Sequence, residues 1–450
     1  MGNGFVAMKG KRYLSGSDWV ICTLDHTLKM STCAGNMSQV VFMLDSPIDE
    51  AAVRHHLQNY VDHLPVAFGR VARNYFFNLA PYWKIPEKAG PAINLRVYHV
   101  DDSSGREAVL NVLEQTVNRP FQNDNEHLAF HLIQGGSRQS WFAMTFDHRL
   151  LDARGAEAFL NLFQQYWLEK GNPDVLDGIA LTAPSGLTNW KKKFSAGRNV
   201  NRTFIALSRH TPETLPVPVQ KDTGFRFALL AFGKQETGRI YDAAYREAGY
   251  LMEMPYLLSA VILAMHELFK KRGVELPVHY LIPLSLDLRS ADDIREELFF
   301  NHVSYLFFQV HGEGVPERGA LIQSIKEQMY EQVKSGLPAD LAEASYLTRI
   351  APLPVLGKLL HLPFKGKVAS FMFSHVGKSS YGYEEIMGGE VENLFHMPRL
   401  PIPPGLGFFF NTFGGRLNLT VSSVSGMLHQ EEISALEQGL REGLLPSTPQ

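Results

Sequence analysis

The most constraining feature of the sequence is an apolar stretch that ends in a polar turn and continues as an amphipathic segment. Residues 141–146 read W-F-A-M-T-F, which predicts a buried strand. The letters D-H-R-L-L-D follow at 147–152, and residues 153–167 have the spacing of a helix. A histidine at the end of a strand is held rigidly and can be aimed as a base. His148 is that histidine, and Asp152 follows it four residues later.

The rest of the chain alternates strand-like and helix-like segments, which predicts an α/β protein with mixed sheets covered by helices. In the first half, the predicted strands are residues 37–44, 73–81, 93–100, 128–134 and 141–146, with helices near 49–63 and 106–118. In the second half, the predicted strands are residues 225–232, 278–285, 301–311, 368–375 and a hairpin at 406–423.

A chain of 450 residues is too long for one ordinary core, so at least two domains are expected. Between residues 171 and 224, prolines and small polar residues interrupt the periodicity, which is typical of a connection between domains. We therefore predict an N-terminal subdomain at residues 1–178 that carries the histidine turn. A crossover linker at 179–224 and a C-terminal subdomain at 225–450 complete the division.

Composition excludes several classes of function. Apolar residues make up 45% and charged residues 20% of the chain, and the net charge is −3, as in ordinary globular proteins. The short basic run Lys191–Lys193 is interpreted as a solvated helix end, so nucleic acid is not an expected partner. With two cysteines, Cys22 and Cys33, and no signal-like segment, the chain fits a reducing cytoplasm.

Most enzymatic motifs are also missing from the sequence. It has no phosphate-binding glycine loop and no G-x-S-x-G nucleophile turn, and its histidines are scattered singly, so no metal site is predicted. His148 remains. A neutral histidine can take a proton from an alcohol, an amine or a thiol, so that this acceptor attacks an acyl carbonyl. Asp152 is then expected to pair with His148 or with an arginine elsewhere.

Residues 146–155, F-D-H-R-L-L-D-A-R-G, resemble the HHxxxDG signature of the CoA-dependent acyltransferase superfamily. That group includes condensation domains of nonribosomal peptide synthetases, chloramphenicol acetyltransferase, wax ester synthase/diacylglycerol acyltransferases and the plant BAHD enzymes. His148 matches the catalytic histidine and Asp152 matches the aspartate. The sequence departs from the signature at Asp147, which replaces the first histidine, and at Ala153, which replaces the glycine.

Two later segments are similar to the same superfamily. Residues 283–289, P-L-S-L-D-L-R, followed by Asn301, resemble its proline–arginine and glycine–asparagine segments, with Phe300 in place of the glycine. Residues 373–377, F-S-H-V-G, are similar to an S-N-x-x-G strand end. The resemblance implies that Arg289 pairs with Asp152, and that Asn301 and Ser374 line a tunnel or bind an oxyanion.

The resemblance implies two chloramphenicol-acetyltransferase-like subdomains arranged as a V, with His148 midway along a central tunnel. It also implies transfer of an acyl group from CoA or from a carrier protein to an alcohol or an amine, in lipid or secondary metabolite biosynthesis. No permanently bound cofactor is expected.

The departures from the signature leave a second hypothesis, a non-catalytic binding or scaffold protein with the same fold. A carboxylate at Asp147 would stabilise a protonated neighbouring imidazole and so weaken His148 as a base. Weak peripheral membrane contact is also open, because apolar residues and lysines alternate in residues 355–367.

Overall fold

The computed structural model describes residues 10–445, except residues 75–77, 89, 91, 102–104, 136–138, 182–188, 219–221, 276, 290–294 and 313–316. The strands of the first half are β1 (Gly10–Tyr13), β2 (Met37–Leu44), β3 (Arg70–Asn74), β4 (Asn78–Ile85), β5 (Asn94–Val100), β6 (Leu128–Gly135) and β7 (Gln139–Asp147). Those of the second half are β8 (Phe225–Ala231), β9 (Val278–Asp287), β10 (Val303–Gly312), β11 (Met372–Lys378), β12 (Glu385–Ile386), β13 (Gly389–Pro398), β14 (Leu406–Phe413) and β15 (Arg416–Val424).

Helices accompany both sets of strands. Those of the first half are α1 (Gly16–Ser31), α2 (Glu50–Asp62), α3 (Gly105–Val117), α4 (Ala153–Leu168) and α5 (Trp190–Leu207). Those of the second half are α6 (Lys234–Ala248), α7 (Glu253–Lys271), α8 (Arg318–Lys334), α9 (Leu337–Ser345), α10 (Leu353–His361) and α11 (Gln430–Leu444).

The strands form two mixed six-stranded sheets and one small sheet, as predicted for an α/β protein. The first sheet has the order β12-β13-β2-β7-β6-β5, and the second has the order β10-β9-β11-β14-β15-β8. A three-stranded sheet, β1-β4-β3, accompanies them. β7 lies inside the first sheet, and all its residues after Gln139 are buried. The strand that precedes His148 is therefore fixed by packing on both of its edges and faces.

The second half of the chain also contributes strands to the first sheet. β13 pairs antiparallel with β2, placing His396 opposite Val40. A buried amide pair then joins the two sheets, since Asn393 on β13 and Asn418 on β15 each donate a hydrogen bond of 2.9 Å to the other. The division into subdomains at residues 1–178 and 225–450 stays a prediction. It did not foresee that β13, from the second half, would pair with β2 in the first sheet.

The predicted linker contains a helix that the sequence interpretation missed. α5 begins after Asn189, whose side chain accepts a hydrogen bond from the backbone of Lys192, and it runs for 18 residues. Lys193 in its first turn is buried and lies 2.7 Å from Glu343 on α9. The interpretation of the basic run as a solvated helix end was therefore wrong for Lys193, because α9 places a carboxylate against it.

Among the described residues, no single helix has the length and hydropathy needed to cross a membrane. α6 and α7 have the required length and hydropathy only when they are taken together, and a bend of 97° separates them. In the segment suggested for membrane contact, Leu356 and Phe364 are buried, whereas Val355, Leu359 and Leu362 are exposed. Membrane contact there stays a prediction that liposome co-sedimentation would test.

Candidate active site

His148 lies directly after β7 and is held by backbone and side-chain contacts. Its backbone N–H donates to the carbonyl oxygen of Asn36 at 3.0 Å. Its ring Nδ1 lies 3.0 Å from Oδ1 of Asn301, and Nδ2 of Asn301 donates to the His148 carbonyl at 2.9 Å. The imidazole is half-buried, whereas Asn301 is buried. One asparagine from the second half of the chain thus fixes both the backbone and the ring of His148.

This pair of contacts determines which nitrogen of His148 can act as a base. A backbone carbonyl can only accept a hydrogen bond, so the amide nitrogen of Asn301 must face it. The amide oxygen of Asn301 then faces Nδ1 of His148, and Nδ1 must carry the hydrogen. In the neutral ring, the lone pair therefore lies on Nε2. The network holds the imidazole in one tautomer and one orientation, as a general base requires.

Asp152 contacts an arginine and two backbone groups. Its Oδ1 accepts from the backbone N–H of Gly155 at 2.9 Å and so caps α4. Its Oδ2 accepts from Nη1 of Arg289 at 2.8 Å and from the backbone N–H of His302 at 3.1 Å. Burial alone would raise the pKa of this carboxyl, but Arg289 and these hydrogen bonds hold it below its usual value. The predicted pair of Asp152 and Arg289 is present, and it joins α4 to the end of β9.

The side chain of Asp147 points into a buried cluster that it forms with Arg149 and His127. Its carboxylate accepts from Nε and Nη2 of Arg149, the latter at 2.6 Å, and lies 2.9 Å from Nδ1 of His127. Burial alone would raise the pKa of Asp147, but Arg149 and His127 hold it well below its usual range. The charge of Asp147 is therefore paired with Arg149, and the expected weakening of His148 as a base by this carboxylate stays a prediction.

Asn301 is positioned by Asp18 on α1, a residue that the sequence interpretation did not identify. Oδ1 of Asp18 accepts from the backbone N–H of Asn301 at 3.0 Å, and Oδ2 accepts from Nη1 of Arg12 at 2.9 Å. Both charged side chains are buried. The local signal at Asp18 was its place three residues after Ser15, where it completes the capping box of α1. Its contact with residue 301 has no counterpart in local sequence.

Phe300 takes a backbone conformation that favours glycine. Its φ is +74°, and its backbone N–H donates to the carbonyl of Leu150 at 2.6 Å. The buried ring contacts two groups: the guanidinium carbon of Arg12 is 3.8 Å from the ring centroid, and the Trp83 ring centroid is 5.6 Å from it. In the superfamily segment that residues 300–301 resemble, this position is a glycine. In this protein, the contacts of the Phe300 ring offset the backbone strain.

The position that requires glycine in this turn is Gly155, two residues after Ala153. A Cβ at Gly155 would lie 2.5 Å from the carbonyl oxygen of Leu298, closer than any side-chain carbon can approach. Ala153 is simply the first residue of α4. Alanine in place of the signature glycine at position 153 therefore does not prevent α4 from approaching residue 298, because the close contact is made at Gly155.

Ser374 lies on β11, and its hydroxyl oxygen is 2.9 Å from that of Ser285 on β9. β11 is joined to the histidine turn through Arg154, whose Nη2 donates to the carbonyl of Val376 at 2.6 Å. The side chain of Asn301 forms its hydrogen bonds with the ring and the backbone carbonyl of His148. An oxyanion role for Asn301 or Ser374, and a tunnel between the sheets, stay predictions.

Three histidines that are far apart in the sequence lie together elsewhere in the second half. His210, His279 and His311 place their ring nitrogens within 4.8 Å of one another. The expectation that the histidines are scattered singly was wrong, because antiparallel pairing of β9 with β10 sets His279 directly opposite His311.

The fold is shared with condensation domains and acyltransferases. The first condensation domain of the calcium-dependent antibiotic synthetase, solved with a substrate analogue, superposes with a TM-score of 0.67 at 12% identity, over 98% of this chain and 96% of that one. The trichothecene 15-O-acetyltransferase of Fusarium sporotrichioides gives 0.66 at 11% identity, over 97% and 95%. Polyketide synthase associated protein 5 of Mycobacterium tuberculosis gives 0.60 at 13% identity, over 95% and 97%.

By sequence alone, no family description and no curated protein matches the chain. The structural likeness extends over nearly the whole chain, and it confirms the predicted α/β fold with two helix-covered mixed sheets, which this chain shares with condensation domains and an acetyltransferase. At these identities the likeness is one of fold, and the chemistry has to be argued from the site itself.

Proposed function

We propose that this protein is an acyltransferase that moves an acyl group from a thioester to an alcohol or an amine, with His148 as the general base. The observation that carries the proposal is the contact of His148 Nδ1 with Asn301 Oδ1 at 3.0 Å, which leaves the lone pair on Nε2. Nε2 takes the proton of the acceptor as its oxygen or nitrogen attacks the thioester carbonyl. The C–S bond then breaks, and the leaving thiolate takes that proton from Nε2, so the thiol is released, the base is regenerated and no covalent enzyme intermediate is needed.

The acyl donor in this proposal is a thioester on CoA or on a carrier protein, used as a co-substrate. One of the structural neighbours is a condensation domain of a synthetase, and another is an acetyltransferase. The shared fold is therefore compatible with both forms of donor. Asp152 and Arg289 act in this account as positioning residues, because they contact each other and the backbone at residues 155 and 302.

A screen of donors against acceptors tests the proposal. Acetyl-, octanoyl- and palmitoyl-CoA, and the same acyl groups on an acyl carrier protein, are each combined with a panel of alcohols and amines. Thiol release is followed spectroscopically, and products are identified by mass. The proposal predicts thiol release that depends on the acceptor and yields an ester or an amide.

The alternative of a non-catalytic binding protein gives a different result in the same screen. It predicts retention of an acyl chain or a carrier protein without turnover, and equal retention by His148→Ala. Because the charge of Asp147 is balanced within its own cluster, the departure at position 147 does not itself favour this alternative.

A further inference from the structure

His210, His279 and His311 form a compact cluster at the edge of the second sheet. The ring centroids are 4.8 Å apart for His210 and His279, 4.6 Å for His210 and His311, and 4.9 Å for His279 and His311. Nδ1 of His279 lies 2.7 Å from Nδ1 of His311. His279 is half-buried and the other two are exposed, so ions in solution can reach all three rings.

The backbone around the cluster is fixed independently of the histidines. Within the described part of the chain, β10 is an edge strand that pairs with β9 alone, and His279 and His311 form a cross-strand pair. On one side of His210, Gln309 of β10 donates to the carbonyl of Leu207 at 2.8 Å. On the other side, the backbone N–H of Glu213 donates to the carbonyl of His279 at 2.8 Å. His210 is thus held over the pair from both directions along the chain.

We propose that His210, His279 and His311 bind one divalent transition-metal ion, Zn²⁺ in the cell, and that the ion fastens the segment after α5 to the edge of the second sheet. Imidazole nitrogen is a ligand that suits Zn²⁺, and three such ligands leave a fourth position for water. In a tetrahedral site with bonds of about 2.0–2.1 Å, neighbouring nitrogens lie about 3.3 Å apart. His279 and His311 therefore separate slightly on binding, which their exposed edge allows.

The ion is placed away from the site proposed for acyl transfer. His279 lies near the beginning of β9, whereas Asp287 at its end neighbours the Arg289 region. A strand rises roughly 3.3 Å per residue, so these two positions are about 26 Å apart. The metal is accordingly a structural clamp for the connection between α5 and β8, and it does not contact the acyl donor or acceptor. The inference is independent of the proposed function.

Zinc titration of the untagged, chelator-treated protein by calorimetry tests the site. We expect saturable binding of one ion, weakened at least about tenfold by each of His210→Ala, His279→Ala and His311→Ala, because even outer partners of metal ligands contribute on that scale. His55→Ala is the matched control, because His55 also lies beside a second histidine, with ring centroids 5.4 Å apart. Its zinc binding is expected to equal that of the parent protein.

Hydrogen exchange tests the clamp separately. Zinc is expected to slow exchange across residues 208–218 in the parent protein and in His55→Ala, but not in His210→Ala. Absence of saturable binding, or binding that none of the three substitutions weakens, would overturn the site. Binding that is unchanged in His210→Ala would overturn the clamp. Circular dichroism in chelator confirms that each variant is folded.

Discussion

Asn301 holds His148 by two hydrogen bonds, one to the ring at 3.0 Å and one to the backbone carbonyl at 2.9 Å. The two residues belong to different halves of the chain, and Asn301 is itself fixed by Asp18 on α1. The proposed base is therefore oriented by a residue that a motif centred on His148 does not contain.

Replacement of Asn301 by alanine is expected to lower kcat by about 10- to 100-fold with little change in KM, because the ring of His148 loses its fixed orientation and tautomer. Steady-state thiol-release assays give both constants. Asn59→Ala is the matched control, since the amide of Asn59 lies 3.1 Å from Nε2 of the exposed His55. An Asn301→Ala variant with the kcat of the parent would contradict the positioning role.

Removal of Arg289 is expected to destabilise the fold by about 3–5 kcal/mol, because it leaves Asp152 as a buried charge without its cation. Arg289→Met is the variant to make, and urea unfolding measures the loss. In the double variant Asp152→Asn/Arg289→Met, the loss should be smaller than the sum of the single losses, since neither charge remains. Strictly additive losses would show that the two side chains do not stabilise each other.

The stability of the protein should fall as the pH drops below about 4. Asp18, Asp147 and Asp152 have pKa values lowered in the folded state. Their unfolded pKa is about 3.9, so below that pH the unfolded chain binds more protons, and the stabilisation is lost as the pH falls through the folded pKa values. Urea unfolding at a series of pH values measures the dependence.

Asp147→Asn should make this acid dependence shallower, because the variant no longer has the carboxyl whose pKa is lowered by Arg149 and His127. The same substitution also lowers stability at pH 7, since Arg149 loses its closest carboxylate. Asp62→Asn is the control, because the side chain of Asp62 is exposed and pairs only with the nearby Gln58 among the contacts described. An unchanged slope in Asp147→Asn would contradict the assignment.

Phe300→Gly should destabilise the protein by about 2–4 kcal/mol, although glycine suits the φ of +74°. Relief of the backbone strain is worth roughly 1 kcal/mol, whereas loss of a buried phenylalanine ring costs about 3–5 kcal/mol. Thermal and urea unfolding measure the difference. A variant more stable than the parent would show that the contacts of the ring with Arg12 and Trp83 do not offset the strain.

The sequence was sufficient for features that depend on local pattern. The strand ending at Asp147, the helix after Asp152 and the hairpin of β14 and β15 follow hydrophobic periodicity and turn residues. The salt bridge between Asp152 and Arg289 followed from the order of two segments that resemble one superfamily. In each case the informative residues are close in sequence or belong to a recognisable motif.

Other features depend on contacts between distant segments, and no local pattern reports them. The bond from Asp18 to Asn301 and the pairing of β13 with β2 join residues several hundred positions apart. The histidine cluster exists only because β9 and β10 pair in one register. α5 was missed because the surrounding prolines suggested a linker. Its buried Lys193 is stabilised by Glu343 on α9, a contact that no local pattern reports.

The most direct test of the account is the rate of acceptor-dependent thiol release by His148→Ala, with the donor and acceptor that the screen identifies. The account predicts a fall in kcat of about 10²- to 10⁴-fold, the usual contribution of a general base, with KM nearly unchanged and His55→Ala fully active. A His148→Ala protein that turns over at the rate of the parent would contradict the central claim.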